Sequence, residues 1–187
     1  MKIAAFASGN GSNLTALVEN GIEIDLVICN KPDAYVITRA NNHNLDCVVI
    51  PTKGRDQVEF ETEMLAVLEK YNIELILLAG YMRMVGATLL NEYEGNIINI
   101  HPSLLPSFKG AHAISDAYNY GVCVSGVTVH FIDSEMDAGT IISQVPVLID
   151  DSDSLEQFEQ NIHNAEYQVF SSAVKKVIKE RNEKSIS

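Results

Sequence analysis

The chain has 187 residues, a length that points to one domain able to bury a core without disulfide or metal staples. A composition 47% hydrophobic and 20% charged excludes intrinsic disorder, and a net charge of −12 excludes the basic footprint of a nucleic-acid binder.

Lys2 to Ala7 reads as a strand ending in the loop Ser8-Gly9-Asn10-Gly11-Ser12-Asn13, and Leu14 to Val18 as the first helix. The apolar stretch after Lys2 is too short for a signal peptide. Asp25 to Cys29 is a second strand, stopped by Asn30-Lys31-Pro32-Asp33. Val36 to Asn42 is a short helix, and Cys47 to Ile50 a third strand before Pro51. Val58, Met64, Leu65 and Leu68 mark a helix over Gln57 to Lys70. Leu75 to Ala79 and Ile97 to Ile100 are the fourth and fifth strands. Such runs, apolar throughout rather than alternating, suit a parallel sheet covered on both faces. The class is therefore α/β: a doubly wound, mostly parallel sheet whose N-terminal half is Rossmann-like.

After Pro102 the pattern changes. Ala113 to Tyr120 is a helix, and Val124 to Ile132 and Ile141 to Val147 are β-rich runs that extend the sheet. A last helix from Leu155 to about Lys179 carries Phe158, Ile162, Ala165, Val169, Ala173 and Val177 on one face, with Ser152 and Asp153 as candidate caps. Five of the 13 basic residues lie between Lys175 and Lys184, where they complement that helix's dipole and leave a body of −15. One domain over 1–187 is expected, with halves at about 1–100 and 101–187. The three cysteines have no CxxC spacing and read as reduced thiols of a cytoplasmic protein. No apolar run approaches a membrane span, and the five histidines lack metal-ligand spacing, so no metal is expected.

Three segments carry chemistry. In the first loop, Asn10-Gly11 turns the chain and aims free N–H groups of the following helix outward, where a phosphate is the natural ligand. An ordinary capped turn fits the same residues; the position in the first βα unit favours the phosphate. Leu14 stands where a dinucleotide fingerprint needs its third glycine, and Asn30 where it needs an acid, so a nicotinamide oxidoreductase is disfavoured. A non-catalytic sensor of a phosphorylated ligand is a further alternative.

Asn99 and His101 share one face of the fifth strand, and Pro102 keeps His101 extended. An amide donor beside an imidazole at a strand's carboxyl end can stabilise an oxyanion. The alternative is a structural histidine. Asp133-Ser134-Glu135-Met136-Asp137-Ala138-Gly139 packs three carboxylates into one connection. One of them near His101 would stabilise a charged ring and fix its orientation; spacing alone reads this loop as a solvated acidic turn. Glu166 on the last helix reads as the edge of the apolar stripe, with His163 one turn before it. Arg55 and Lys109 read as loop cations.

Together these motifs resemble the glycinamide ribonucleotide formyltransferase family over nearly the whole chain. The resemblance rests on Ser8–Leu14, on Leu78-Ala79-Gly80-Tyr81-Met82-Arg83, on Asn99-Ile100-His101-Pro102-Ser103-Leu104-Leu105-Pro106, on Gly126–Phe131 and on Asp137-x-Gly139. It implies a formyltransferase fold and transfer of a formyl group from 10-formyltetrahydrofolate, a co-substrate, to the amine of glycinamide ribonucleotide in purine synthesis. It implies Asn99, His101 and Asp137 as the catalytic trio, and Gly11, Ser12 and Asn13 as phosphate ligands. His163 and Glu166 match nucleotide contacts, although the family often has an amide at the position of His163. Arg55, Met82, Arg83, Met84 and Val85 would face the folate, with Asp133, Ser134, Glu135, Met136 and Asp137 lining its pterin pocket. The loop after Lys109 and the Asp133–Asp137 loop are expected to move on binding. Ala111 and Thr140 depart from the family pattern in those two loops.

The rivals are a formyltetrahydrofolate hydrolase, expected to carry a further N-terminal domain, and other amine formyltransferases. Among these, a tRNA-directed enzyme is expected to carry a C-terminal RNA-binding domain, and the acidity of this chain argues against it. The expected partners are the two small substrates, with no nucleic acid and no membrane.

Overall fold

The computed structural model describes residues 1–184. Its seven strands take the order β3-β2-β1-β4-β5-β6-β7, a mostly parallel α/β sheet with flanking helices. Two compact units divide the chain, Met1–Ile98 and the part from Asn99 onward.

The first unit alternates strand and helix: β1 (Ile3–Ala7), α1 (Ser12–Glu19), β2 (Leu26–Cys29), α2 (Val36–Asn42), β3 (Cys47–Val49), α3 (Gln57–Lys70), β4 (Leu75–Leu78) and α4 (Ala87–Glu92). β1 pairs in parallel with β2 and with β4, and β2 with β3. Every residue of β1, β2 and β4 is buried, so both sheet faces are covered, which is why these strands read as unbroken apolar runs. Two thiols lie on adjacent strands, Cys29 on β2 and Cys47 on β3; burial pushes the Cys47 thiol up to about 11, which keeps it protonated near neutral pH.

Local capping sets the helix starts. Asp56 accepts from the backbone N–H groups of Val58 and Glu59 to open α3. α1 opens instead on Gly11, at φ +81°, and a Cβ there would lie 2.5 Å from Cγ2 of Val36, so both backbone and packing demand glycine. α4 has no counterpart among the elements expected from the sequence. That six-residue helix has no side-chain cap of its own, and its first turn is capped from α3 by Glu61.

The second unit holds most of β5 (Ile97–His101), α5 (Ala113–Tyr120), β6 (Val124–Phe131), β7 (Ile141–Leu148) and α6 (Leu155–Lys184). β6 and β7 form an antiparallel pair, with a bulge at Val129/His130. β6 is buried over most of its length, whereas β7 alternates in exposure as an end strand does. Pro146 lies within β7, and Nζ of Lys176 on α6 reaches the carbonyl of Ile142. The cap of α6 is Ser154, whose Oγ accepts from the N–H of Gln157, rather than Ser152 or Asp153. Those two are spent on a local turn with Asp150. Among the described residues no helix is long and apolar enough to cross a membrane.

Candidate active site

β5 places Asn99, half-buried, and His101, buried, two residues apart at its carboxyl end. The segment after His101 is braced through one hydroxyl. Oγ1 of Thr128 donates to the carbonyl of Ser103 at 2.7 Å and accepts from the N–H of Leu105 at 3.0 Å. Gln144 adds bonds to that hydroxyl and to the Leu105 carbonyl. Ser103 to Pro106 is therefore scaffold, tying the end of β5 to β6 and β7.

Both ring nitrogens of His101 face oxygen. Nε2 lies 2.8 Å from the carbonyl of Phe108, which can only accept, so Nε2 carries the hydrogen. Nδ1 lies 3.5 Å from Oδ2 of Asp137. The same Oδ2 accepts from the N–H of Gly110 at 2.9 Å, so Asp137 is fixed by the loop that also engages His101. Asp137 has φ +51°, a conformation uncommon outside glycine and one that functional sites often retain.

A fourth residue completes the cluster. His130 on β6 is fully buried, and its Nδ1 donates to the carbonyl of Phe131 at 2.8 Å. Burial pushes its pKa below the ordinary histidine value, so the ring is neutral and Nε2 is a bare acceptor. Nδ2 of Asn99 donates to that nitrogen at 3.2 Å, and Oδ1 of Asp137 lies 3.9 Å from it. Asn99, His130, Asp137 and His101 thus form one chain of contacts. Among the sequence motifs His130 carries no assigned role; its signal is a lone histidine in the apolar run of β6.

Of the acidic loop, Asp137 alone joins this cluster, its side chain 11% exposed. Asp133, Ser134, Glu135 and Met136 are exposed, and Asp133 accepts from the N–H of Glu135 in a local turn. The loop is a solvated acidic turn over its first residues and a site element at its last. On α6, Oε2 of Glu166 lies 2.8 Å from Nδ1 of His163. Glu166 is 6% exposed, so it sits inside the buried face rather than at its edge as expected. The half-exposed His163 compensates it, and the hydrogen bond to Glu166 holds the His163 pKa above its ordinary value.

In the first unit, the Gly-rich loop is anchored from α2, by a residue outside the sequence motifs above. Arg39 on α2 donates to the carbonyl of Asn10 at 2.9 Å, to Oδ1 of Asn10 at 2.7 Å and to Oγ1 of Thr15 at 3.3 Å. Among the described residues no side chain caps α1, and backbone N–H groups in the first turn of a helix have no partner within it. Oδ1 of Asn13 is buried and has no hydrogen-bond partner among the described residues. Oγ of Ser8 accepts from the N–H of Met82 at 2.8 Å, which brings the start of this loop to the segment Met82–Val85. Met82 and Met84 are 74% and 61% exposed, and the Arg83 guanidinium lies 5.5 Å from the Phe60 ring centroid. Arg55 is held on α3 by ion pairs to Glu59 at 2.9 Å and Glu63 at 2.8 Å. Among the described residues, no group of three or more His, Cys, Asp or Glu is placed to hold a metal ion.

A family model described as formyl transferase matches residues 1–174. The chain is 44% identical to the phosphoribosylglycinamide formyltransferase of Bacillus subtilis (strain 168), over 95% of this chain and 94% of that one. The crystal structure of phosphoribosylglycinamide formyltransferase from Streptococcus pneumoniae TIGR4 matches with a TM-score of 0.92 at 44% identity, covering 95% of this chain and 98% of that one. That of glycinamide ribonucleotide transformylase 1 from Geobacillus kaustophilus matches with a TM-score of 0.90 at 41% identity, covering 94% and 97%. The strand order, the cluster at the end of β5 and these likenesses agree: the chain belongs to the formyl transferase family.

Proposed function

We propose that this chain transfers the formyl group of 10-formyltetrahydrofolate to the primary amine of glycinamide ribonucleotide, giving N-formylglycinamide ribonucleotide and tetrahydrofolate in purine biosynthesis. The amine nitrogen attacks the formyl carbon, the new C–N bond forms, and the bond to N10 of the folate breaks. One proton passes from the attacking amine to N10, so the reaction balances with the two substrates alone.

The observation that carries the reading is His101, with Nδ1 toward the Asp137 carboxylate and Nε2–H aimed at an oxygen acceptor 2.8 Å away. On this reading the oxyanion of the tetrahedral intermediate takes that hydrogen in place of the Phe108 carbonyl. Asn99 keeps one hydrogen of Nδ2 for the same oxygen, because the other is given to His130. Asp137 orients His101 and relays the amine proton through water. Gly11, Ser12 and Asn13 receive the ribose phosphate, and Glu166 with His163 receives the amine side of the nucleotide. Met82, Arg83, Met84 and Val85 receive the folate, together with Arg55 and the Asp133–Asp137 loop. The work is that of one formyltransferase domain over 1–187, the last three positions of which lie outside the described residues, in the cytoplasm.

The test is the absorbance change on deformylation of 10-formyltetrahydrofolate, with and without glycinamide ribonucleotide. Acceptor-dependent turnover lost in Asn99→Ala and Asp137→Ala supports the reading. Equal turnover without acceptor makes the enzyme a hydrolase, and no turnover by folded protein sinks the assignment.

A further inference from the structure

Glu61 is a buried carboxylate, 1% exposed, that the chemistry above does not use. Among the described residues no cation forms an ion pair with it. Oε1 accepts from the N–H of Gly86 at 2.6 Å and from Nε2 of Gln57 at 3.0 Å, and Oε2 accepts from the N–H of Leu89 at 3.3 Å. The Gln57 amide uses its second hydrogen on the carbonyl of Met84 at 3.1 Å, so Glu61 fixes the orientation in which Gln57 reaches that carbonyl. A Cβ on Gly86 would lie 2.6 Å from Nε2 of Gln57 and 2.9 Å from Oε2 of Glu61, so the seat is fitted closely to a bare backbone. At the other end of the segment, Oγ of Ser8 takes the N–H of Met82. Backbone groups of every second residue, 82, 84 and 86, are thereby pinned.

A segment held this firmly would be expected to bury its apolar side chains, yet Met82 and Met84 stand 74% and 61% exposed. Thioethers on a fixed backbone form an adaptable apolar surface suited to a flat aromatic ring. We propose that Glu61, acting through Gln57 and the Gly86 N–H, is the positioning residue that holds Met82–Gly86 in register for the aromatic group of the formyl donor. This inference rests on the assignment of Met82–Val85 to the folate. It separates the two substrates: Glu61 and Gln57 set affinity for the donor and leave affinity for the ribonucleotide untouched.

The experiment uses the full chain and steady-state kinetics with each substrate varied in turn, beside thermal unfolding and calorimetric titration with tetrahydrofolate. Gln57→Ala removes the bond to Met84 from a half-buried position and leaves Glu61 in place. It is expected to raise the KM for 10-formyltetrahydrofolate and the Kd for tetrahydrofolate about fivefold to tenfold. The KM for glycinamide ribonucleotide should stay within about twofold and the midpoint of unfolding nearly constant. Glu61→Gln should act in the same direction and more strongly, and where it fails to fold Gln57→Ala alone decides. Unchanged donor KM and tetrahydrofolate affinity in folded Gln57→Ala, with the parent chain active, overturns the proposal and leaves the functional reading standing. A parent chain that neither turns over nor binds tetrahydrofolate overturns both.

Discussion

Asn99 donates from Nδ2 to Nε2 of His130 at 3.2 Å, so the amide is held by an imidazole that must stay neutral to accept the bond. The ring is kept so by burial, and its Nδ1–H is spent on the Phe131 carbonyl. His130→Ala is expected to lower kcat about tenfold or more with both KM values nearly unchanged, since it frees the Asn99 amide to rotate. A stopped assay at saturating substrates checks this, and a raised KM with constant kcat would contradict it.

The same burial has a consequence for stability. The unfolded chain takes a proton on His130 near the ordinary value of 6.5, while the folded chain resists it to lower pH. Stability conferred by this group is therefore lost as pH falls from about 6.5 through the depressed folded value. Urea midpoints measured from pH 7 to pH 5 should fall more steeply in the parent chain than in His130→Gln.

Asn99→Ala and Asp137→Asn should each cost about 10²–10³ in kcat, the size typical of a lost oxyanion donor or its support. Because Asn99, His130, Asp137 and His101 form one chain of contacts, the double variant should lose less than the product of the two factors. Full multiplicativity in a double-mutant cycle would show that the two side chains act independently.

Arg39 holds Asn10 by two bonds from a planar guanidinium. Arg39→Ala should raise the KM for glycinamide ribonucleotide about tenfold, with little change for the formyl donor. Arg39→Lys should recover little of it, because an ammonium cannot span both oxygens in that geometry. Competition by inorganic phosphate gives a second readout, and an unchanged inhibition constant in Arg39→Ala would separate Arg39 from phosphate capture.

His163 and Glu166 make a pair with the opposite pH sign. The His163 pKa is raised by its bond to Glu166, so its stabilisation is fully present below 6.5 and fades as pH rises through the raised value. The parent chain should exceed His163→Gln in unfolding midpoint at about pH 6, and the gap should narrow as pH rises through the raised value. Since the ring is half exposed, the gap is expected to stay within about 1 kcal/mol.

Much of this architecture is written locally. The helices over 36–42, 57–70 and 113–120 fall where periodicity and stop signals put them, and the buried strands fall where apolar runs put them. What local patterns do not carry is a partner supplied from elsewhere in the chain. α4 escaped because its cap is Glu61, more than 20 residues earlier. Glu166 reads as an edge residue until His163 is seen to compensate it. Arg39 is an ordinary helix cation until α2 is packed beside the Gly-rich loop. For α6, Ser154-x-x-Gln157 is the local capping signal, just beyond the expected caps Ser152 and Asp153.

The last strand in the order, β7, has a bearing on how the chain behaves in a crowded solution. An uncovered strand edge is a template on which another molecule's strand can grow, and exposed apolar residues such as Ile141 and Leu148 would favour that growth. Two features of β7 work against it. Pro146 offers no N–H to an incoming ladder, and Lys176 already occupies the carbonyl of Ile142. The strand is thus a terminus for sheet formation, and replacing Pro146 with valine should make the chain more prone to aggregate while leaving turnover intact.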